Sequence, residues 1–231
     1  MKKSDFSKRI LISITGYKNC HWQNKIEEIN KRGISRVALF LERFTKTQRE
    51  GIYKALLESE IKDIPLVHIR NDMKRDELEF LVKNFGSRYL TIHESSFNVM
   101  EKWRGFFKWL YLEMNTDDFV SRKVDVSRIG GFCVDLAHFK VEATKWTKEF
   151  AYIFERRAVS RYFACNHLSG YSFERNTDLH FAKKLKDFDY LKTLPEFLFG
   201  EIIAIEVDNS IKEQLKFKRY LSNLLNKRFN T

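Results

Sequence analysis

The feature of this chain that most restricts its fold is an alternation sustained from end to end. Short apolar runs rich in β-branched residues are separated by longer stretches of mixed polarity. The runs occupy residues 10–14, 37–41, 64–69, 89–93, 109–113, 131–135, 162–167 and 202–206. They are apolar at nearly every position. A strand with one wet face would alternate, so these read as parallel strands covered on both sides.

The intervening stretches read as helices. Residues 25–31 are helical with Gly33 as the stop, and Asp72 caps a helix through residue 84 that Gly86 closes. Residues 95–108, 142–157 and 210–227 show large apolar side chains at helical spacing. The segment 116–128 carries charges and β-branched residues without that spacing, which predicts a short or missing helix after the fifth strand. Eight strands with intervening helices, and no linker, predict a single (β/α)₈ TIM-barrel domain over residues 1–231. An open doubly wound sheet is the competing architecture, but no Gly-rich dinucleotide fingerprint follows the first run.

Composition narrows the class. With 43% hydrophobic and 32% charged residues and only two prolines, the chain is rich enough in apolar residues to bury a core and is not a disordered tail. No apolar run approaches the roughly 20 residues that a membrane span needs. The basic N-terminus lacks the apolar length and cleavage site of a signal peptide. Cys20, Cys133 and Cys165 are too few and too scattered for a disulfide framework or a cysteine-based zinc site. The expectation is a soluble cytoplasmic protein, without a membrane partner. The net charge of +11 permits a nucleic-acid or other polyanionic partner, although the basic residues spread from Lys2 to Arg228 rather than forming one block.

The residues with ligand chemistry are not spread in this way. His68 and His93 close the third and fourth runs, Glu113 the fifth, Asp135 the sixth, His167 the seventh and Glu206 the eighth. His138 follows Asp135 by three residues, and Asp178 precedes His180 by two. In a parallel barrel all strand C-termini open on one face, so these groups converge there. Singly, each has an ordinary structural reading. Jointly, so many imidazoles and carboxylates at one rim would be costly to desolvate without a counter-charge, and a divalent cation supplies one. Imidazole and carboxylate ligands suit Zn²⁺ or Mn²⁺ foremost, in one to three ions. Arg70 and Asn115, each two residues past a strand-end ligand, and Lys140 are candidates for holding substrate, as are Lys183 and Lys184 for an anionic group. His21, beside Cys20 and Trp22, reads as cover for the barrel mouth. No long inserted loop with aromatic wedges is evident.

The segments Leu112-Glu-Met-Asn115, Cys133-Val-Asp-Leu-Ala-His138, Cys165-Asn-His-Leu168, Asp178-Leu-His180 and Ala204-Ile-Glu-Val207 resemble the xylose isomerase-like TIM-barrel superfamily, which includes sugar isomerases, epimerases and the endonuclease IV group. The resemblance implies one of two chemistries. In the one-metal version Glu113, Asp135, His167 and Glu206 hold the ion, Glu113 and Glu206 shuttle a proton on a sugar or sugar phosphate, and His138 helps hold substrate. In the endonuclease IV-like version there are three groups. His68, His93 and Glu113 hold one ion, Glu113, Asp135, His167 and Glu206 a second, and His138, Asp178 and His180 a third. That cluster implies phosphoester hydrolysis, and the surplus of His68, His93, Asp178 and His180 over the one-metal scheme favours it. A catalytically idle barrel that binds an acidic partner through its basic surface is the reading from a different class.

Overall fold

The computed structural model describes residues 5–16 and 21–230. A single helical turn, α1 (Phe6–Arg9), leads into the first apolar run, which forms two short strands, β1 (Ile10–Leu11) and β2 (Ser13–Ile14). Then come α2 (Trp22–Lys31), β3 (Ala38–Phe40), α3 (Lys46–Leu57), β4 (Leu66–His68), α4 (Arg75–Phe85), β5 (Tyr89–His93) and β6 (Leu110–Glu113). The second half holds β7 (Gly131–Asp135), α5 (Leu136–Lys145), α6 (Lys148–Glu155), β8 (Phe163–Leu168), a hairpin of β9 (Gly170–Ser172) and β10 (Thr177–Leu179), β11 (Ile202–Ile205) and α7 (Ile211–Phe229).

The sheet is parallel and nearly closed, with nine strands among the described residues in the order β1-β11-β8-β7-β6-β5-β4-β3-β2. Its two ends are halves of one run: β1 pairs with β11, and β2 pairs with β3. Around Ile12 the first run therefore passes from its last-strand neighbour to its second-strand neighbour, which makes the sheet barrel-like. Gln214 of α7, fully buried, secures the join. Its side chain accepts from Ser13 N at 2.8 Å and donates to Ser13 O at 3.1 Å, while Ser13 Oγ donates to the Ile205 carbonyl.

Side chains alternate across each strand. One set faces outward into the large core beneath the helices, for example Leu39, Val67, Leu90, Leu112, Val134 and Ile203. The other set faces inward and packs as a second buried cluster: Leu11, Ala38, Phe40, Leu66, Tyr89, Tyr111, Cys133, Cys165, Ile202 and Ala204. Both described cysteines, Cys133 and Cys165, are free and sit in this inner cluster.

All eight apolar runs form strands, and the missing helix after the fifth run is observed: only a 3₁₀ turn, Val126–Arg128, separates β6 from β7. Several helix expectations need correction. Residues 95–108 form 3₁₀ turns, Glu94–Asn98, Met100–Trp103 and Phe107–Trp109, because Gly105 takes a left-handed φ of 97° and the fully buried Trp103 donates its indole N–H to Met73 O. Residues 142–157 are not one helix. Trp146 adopts a left-handed φ of 55° that ends α5, and Thr147 caps α6. Asp72 does not cap α4, which begins after Lys74; Asp72 instead takes a bond from Arg49. Helix α3 was not anticipated, and the seventh run is followed by a hairpin and a 3₁₀ segment, Leu185–Thr193, rather than by an α-helix. Regular helix–strand alternation is therefore incomplete on the outer layer. Among the described residues no helix is long and apolar enough to cross a membrane.

Candidate metal centre

The inward-facing rows explain how the candidate ligands meet. Along β4 the inward positions are Leu66 and His68, along β6 Tyr111 and Glu113, along β7 Cys133 and Asp135, and along β8 Cys165 and His167. One step of two residues thus carries each strand from the apolar cluster to a polar top row. Strand register sets that row side by side: His93 pairs with Glu113 and Asp135 with His167. Phe40 forms the floor, with its ring 4.8 Å from His167 and 6.2 Å from His68.

Local structure positions the remainder. Asp135 ends β7 and caps α5, its Oδ1 accepting from Ala137 N at 2.8 Å and His138 N at 2.9 Å. This leaves Oδ2 toward the barrel and sets His138 on the first turn of the helix. The β9–β10 hairpin brings in Asp178, paired with Tyr171, and His180 follows, with its carbonyl accepting from Asp208 N at 2.6 Å.

Glu113 is the centre of the arrangement. Its Oε2 lies 2.9 Å from His68 Nε2 and 3.1 Å from His167 Nδ1, and its Oε1 lies 3.8 Å from His138 Nδ1. Glu206 joins His167 and His180 in the same way, with Oε2 3.3 Å from His167 Nδ1 and Oε1 3.9 Å from His180 Nδ1. Asp178 Oδ2 lies 3.0 Å from His180 Nε2 and 3.8 Å from His138 Nε2. Three groups result whose ligand atoms lie within 4.8 Å of one another: His68, His93 and Glu113; Glu113, Asp135, His167 and Glu206; and His138, Asp178 and His180. All nine residues that the sequence marked are brought together, in the three sets that the endonuclease IV-like resemblance implies.

The electrostatics are those of a crowded site, buried at His68, Glu113, Asp135 and His167 and half-buried at His138, Asp178 and His180. Burial pushes His93 down to about 4. Burial also opposes charge on His138, but Asp135, Asp178 and Glu113 outweigh it and push that ring up to about 10; His180, beside Asp178 and Glu206, is pushed up to about 9. His138 and His180 together hold Asp178 well below the usual carboxylate range. Burial pushes the Glu206 carboxyl up.

A divalent ion fits this donor set. His93 Nδ1, Asp135 Oδ2, His138 Nδ1, both ring nitrogens of His167 and Glu206 Oε2 are buried without a hydrogen-bond partner. Buried polar atoms are ordinarily satisfied, and a cation is one partner that would satisfy orphans of this type at one spot. Nitrogen and carboxylate oxygen together are the donors of a borderline or hard cation.

The substrate-side candidates fare differently. Asn115 lies at the rim and lines a cavity with His138, Glu142 and Glu149, its backbone N–H donating to Glu94. Arg70 is turned to the Phe44 carbonyl, at 3.1 Å, and to Asp72, so its partners lie off the cluster. Lys140 is two residues along α5 from His138, which at 3.6 residues per turn places it on a different face from that ligand. Lys183 and Lys184 donate their backbone N–H groups to Asp187, and Lys183 lines an outer groove against α7. Cys20 lies outside the described residues, and His21 is exposed.

Two features escaped sequence reasoning. Glu42 lies two residues past the inward-facing Phe40, and its Oε2 is 3.4 Å from His68 Nδ1. The same step of two along the strand that sets His68, Glu113, Asp135 and His167 above the inner cluster would have found it, but the second apolar run continues through Leu41 and conceals where the strand ends. Phe119, Phe173 and Phe181 stand exposed on loops that follow β6, β9 and β10. Their exposure was not anticipated, because each of these residues is isolated in sequence.

The chain matches no protein-family model and no curated protein at a significant level.

Proposed function

We propose that this chain is a metal-dependent phosphoester hydrolase on a (β/α)₈ barrel of the xylose isomerase-like type, with Zn²⁺ or Mn²⁺ held at the strand C-termini. One observation carries the reading: the Glu113 carboxylate reaches histidines from all three candidate groups, His68, His167 and His138. Contiguous groups of this type suit a clustered site rather than a lone ion.

His68 and His93 with Glu113 would hold one ion, Glu113, Asp135, His167 and Glu206 another, and His138, Asp178 and His180 a third. Bound there, the ions supply charge compensation for a phosphoester and acidify water at neutral pH. The chain's own part is to hold these groups in place. Phe40 closes the floor, Asp135 is anchored through Oδ1 to the α5 cap, and Glu113 Oε2 is held by His68 Nε2 at 2.9 Å. Asn115, which lines a cavity with His138, offers a contact for a substrate at the rim.

The one-metal isomerase reading requires Glu113 and Glu206 to flank a sugar carbonyl. Here both carboxylates converge on the same His167 nitrogen, at 3.1 and 3.3 Å, which favours shared ligation. Metal analysis of the purified chain, followed by cleavage assays on a duplex with an abasic site and on phosphosugars, tests the proposal. An ion for each ligand group and hydrolysis of either substrate are expected. A single ion with sugar isomerisation would transfer the case to the isomerase. No metal at all would leave a barrel that acts through its basic surface.

A further inference from the structure

Strand β3 contributes no residue to the three ligand groups, yet its continuation reaches them. Phe40 faces inward beneath His68 and His167, so Glu42, two residues further, projects to the same side. Its Oε2 is buried and has no hydrogen-bond partner; it lies 3.4 Å from His68 Nδ1, which is also buried and also lacks one. The other carboxylate oxygen, Oε1, lies 3.4 Å from Arg43 Nε. On the far side of the ring, His68 Nε2 is 2.9 Å from Glu113 Oε2. The order across the site is therefore Arg43, Glu42, His68, Glu113.

We propose, resting on the metal-cluster reading, that Glu42 is a positioning residue: it accepts Nδ1–H of His68 and so fixes both the tautomer and the ring orientation that leave Nε2 free for an ion shared with His93 and Glu113. An imidazole that ligates a cation through one nitrogen carries its proton on the other. His68 is 1% exposed, so that proton has no access to water and needs a protein acceptor. Glu42 Oε2 is the orphaned acceptor that faces it. A carboxylate in this place makes the imidazole a stronger donor and holds the ring against rotation, as outer partners of metal-binding histidines do.

The test uses the full chain, stripped of metal and titrated with Zn²⁺ or Mn²⁺ alone. Glu42→Ala is expected to weaken the ion held by His68, His93 and Glu113 by about 10–100-fold and to leave the other groups able to fill. Glu42→Gln keeps an oxygen that accepts the same bond and is expected to recover part of the loss. Histidine ¹⁵N spectra of the metal-free proteins add a readout that owes nothing to turnover: the parent chain is expected to show a proton on His68 Nδ1 as well as the one that Nε2 donates to Glu113, with the Nδ1 signature shifted in Glu42→Ala and the circular dichroism unchanged. Equal metal affinities and an unaltered His68 spectrum in Glu42→Ala would overturn the proposal. A parent chain that takes up no metal removes the cluster reading instead, and the His68 spectrum still decides whether Glu42 holds the ring.

Discussion

His68 Nε2 lies 2.9 Å from Glu113 Oε2, although the two residues are 45 positions apart and stand on strands that are not neighbours. Between β4 and β6 runs β5, whose last residue, His93, completes the group with a ring centroid 4.7 Å from that of His68. The contact exists because the barrel-like curvature turns non-adjacent strand ends toward one axis.

This relationship separates two substitutions. His68→Ala removes a ligand from one group only, and is expected to lower metal content there while the ions near His167 and His180 remain. Glu113→Gln removes the carboxylate that two groups share, and is expected to empty both and to cut hydrolysis by roughly a thousandfold, the scale of several kcal/mol of lost transition-state stabilisation. Metal analysis beside initial rates checks both. Equal metal loss in the two variants would contradict a shared carboxylate.

Metal binding is expected to release protons and to strengthen as pH rises. His138 and His180 are pushed up to about 10 and about 9, so both rings are protonated at neutral pH in the metal-free chain, and an ion must displace those protons. Affinity at that group should climb from pH 7 toward 9. Stability of the metal-free chain should run the other way. A ring whose folded value is raised contributes its full stability below the ordinary histidine range and loses it as pH rises through about 9 to 10. Calorimetric titration in buffers of different ionisation heat, with melting curves of the stripped protein, measures both slopes. A pH-independent affinity would refute the assignment.

Away from the site, Arg49 is a buried clamp between α3 and α4. Its guanidinium is 2.8 and 3.1 Å from the two Glu77 oxygens, 3.1 Å from Asp72 and 2.9 Å from the Phe44 carbonyl, and Tyr53 also donates to Glu77. Arg49→Met leaves Glu77 without its cation, and breaking a buried pair from one side costs about 3 kcal/mol or more. A lowered denaturation midpoint with an unchanged metal content is the expected result. Burial opposes ionisation of Glu77, but the bonds from Arg49 and Tyr53 outweigh it and hold the carboxyl below 4.5. Its contribution is therefore present above that pH and lost as acid protonates it, and the Arg49→Met deficit should shrink in acid.

Glu149 holds the connection that has no helix. Its Oε1 accepts from Asp117 N at 3.0 Å and Phe119 N at 3.1 Å, so a buried carboxylate supplies the acceptors that a helix would have provided for that segment. Glu149→Ala is expected to raise amide hydrogen exchange across residues 115–121 without changing exchange in the barrel strands. Unaltered protection in that segment would show that other contacts order it.

The strand pattern was legible from the near-continuous apolar runs, and most of the candidate ligands from their place at the ends of those runs. A run buried on both faces announces itself by its apolar length, and an imidazole or carboxylate at its end is conspicuous by contrast. Residues such as His93 and Glu113 could thus be placed at one rim from order alone. The outer layer was less legible. The left-handed turns at Gly105 and Trp146, and the hydrogen bond from Trp103 to Met73 O, are decided by neighbours that no local window contains. Glu42 was hidden because Leu41 blurs the end of its strand, and that Arg70 turns to the Phe44 carbonyl was not legible because proximity along a chain does not set the direction of a side chain.

The amino-acid order by itself determined which residues form strands and which chemical groups cap them, since both depend on local alternation and residue type. Only the tertiary structure decided that Glu113 touches three histidines, that Asp135 divides its carboxylate between a helix cap and the site, and that Arg70 turns to a backbone carbonyl. Those outcomes rest on curvature and register, which arise when the first run pairs with both the last strand and the second, and no local stretch of sequence encodes that closure.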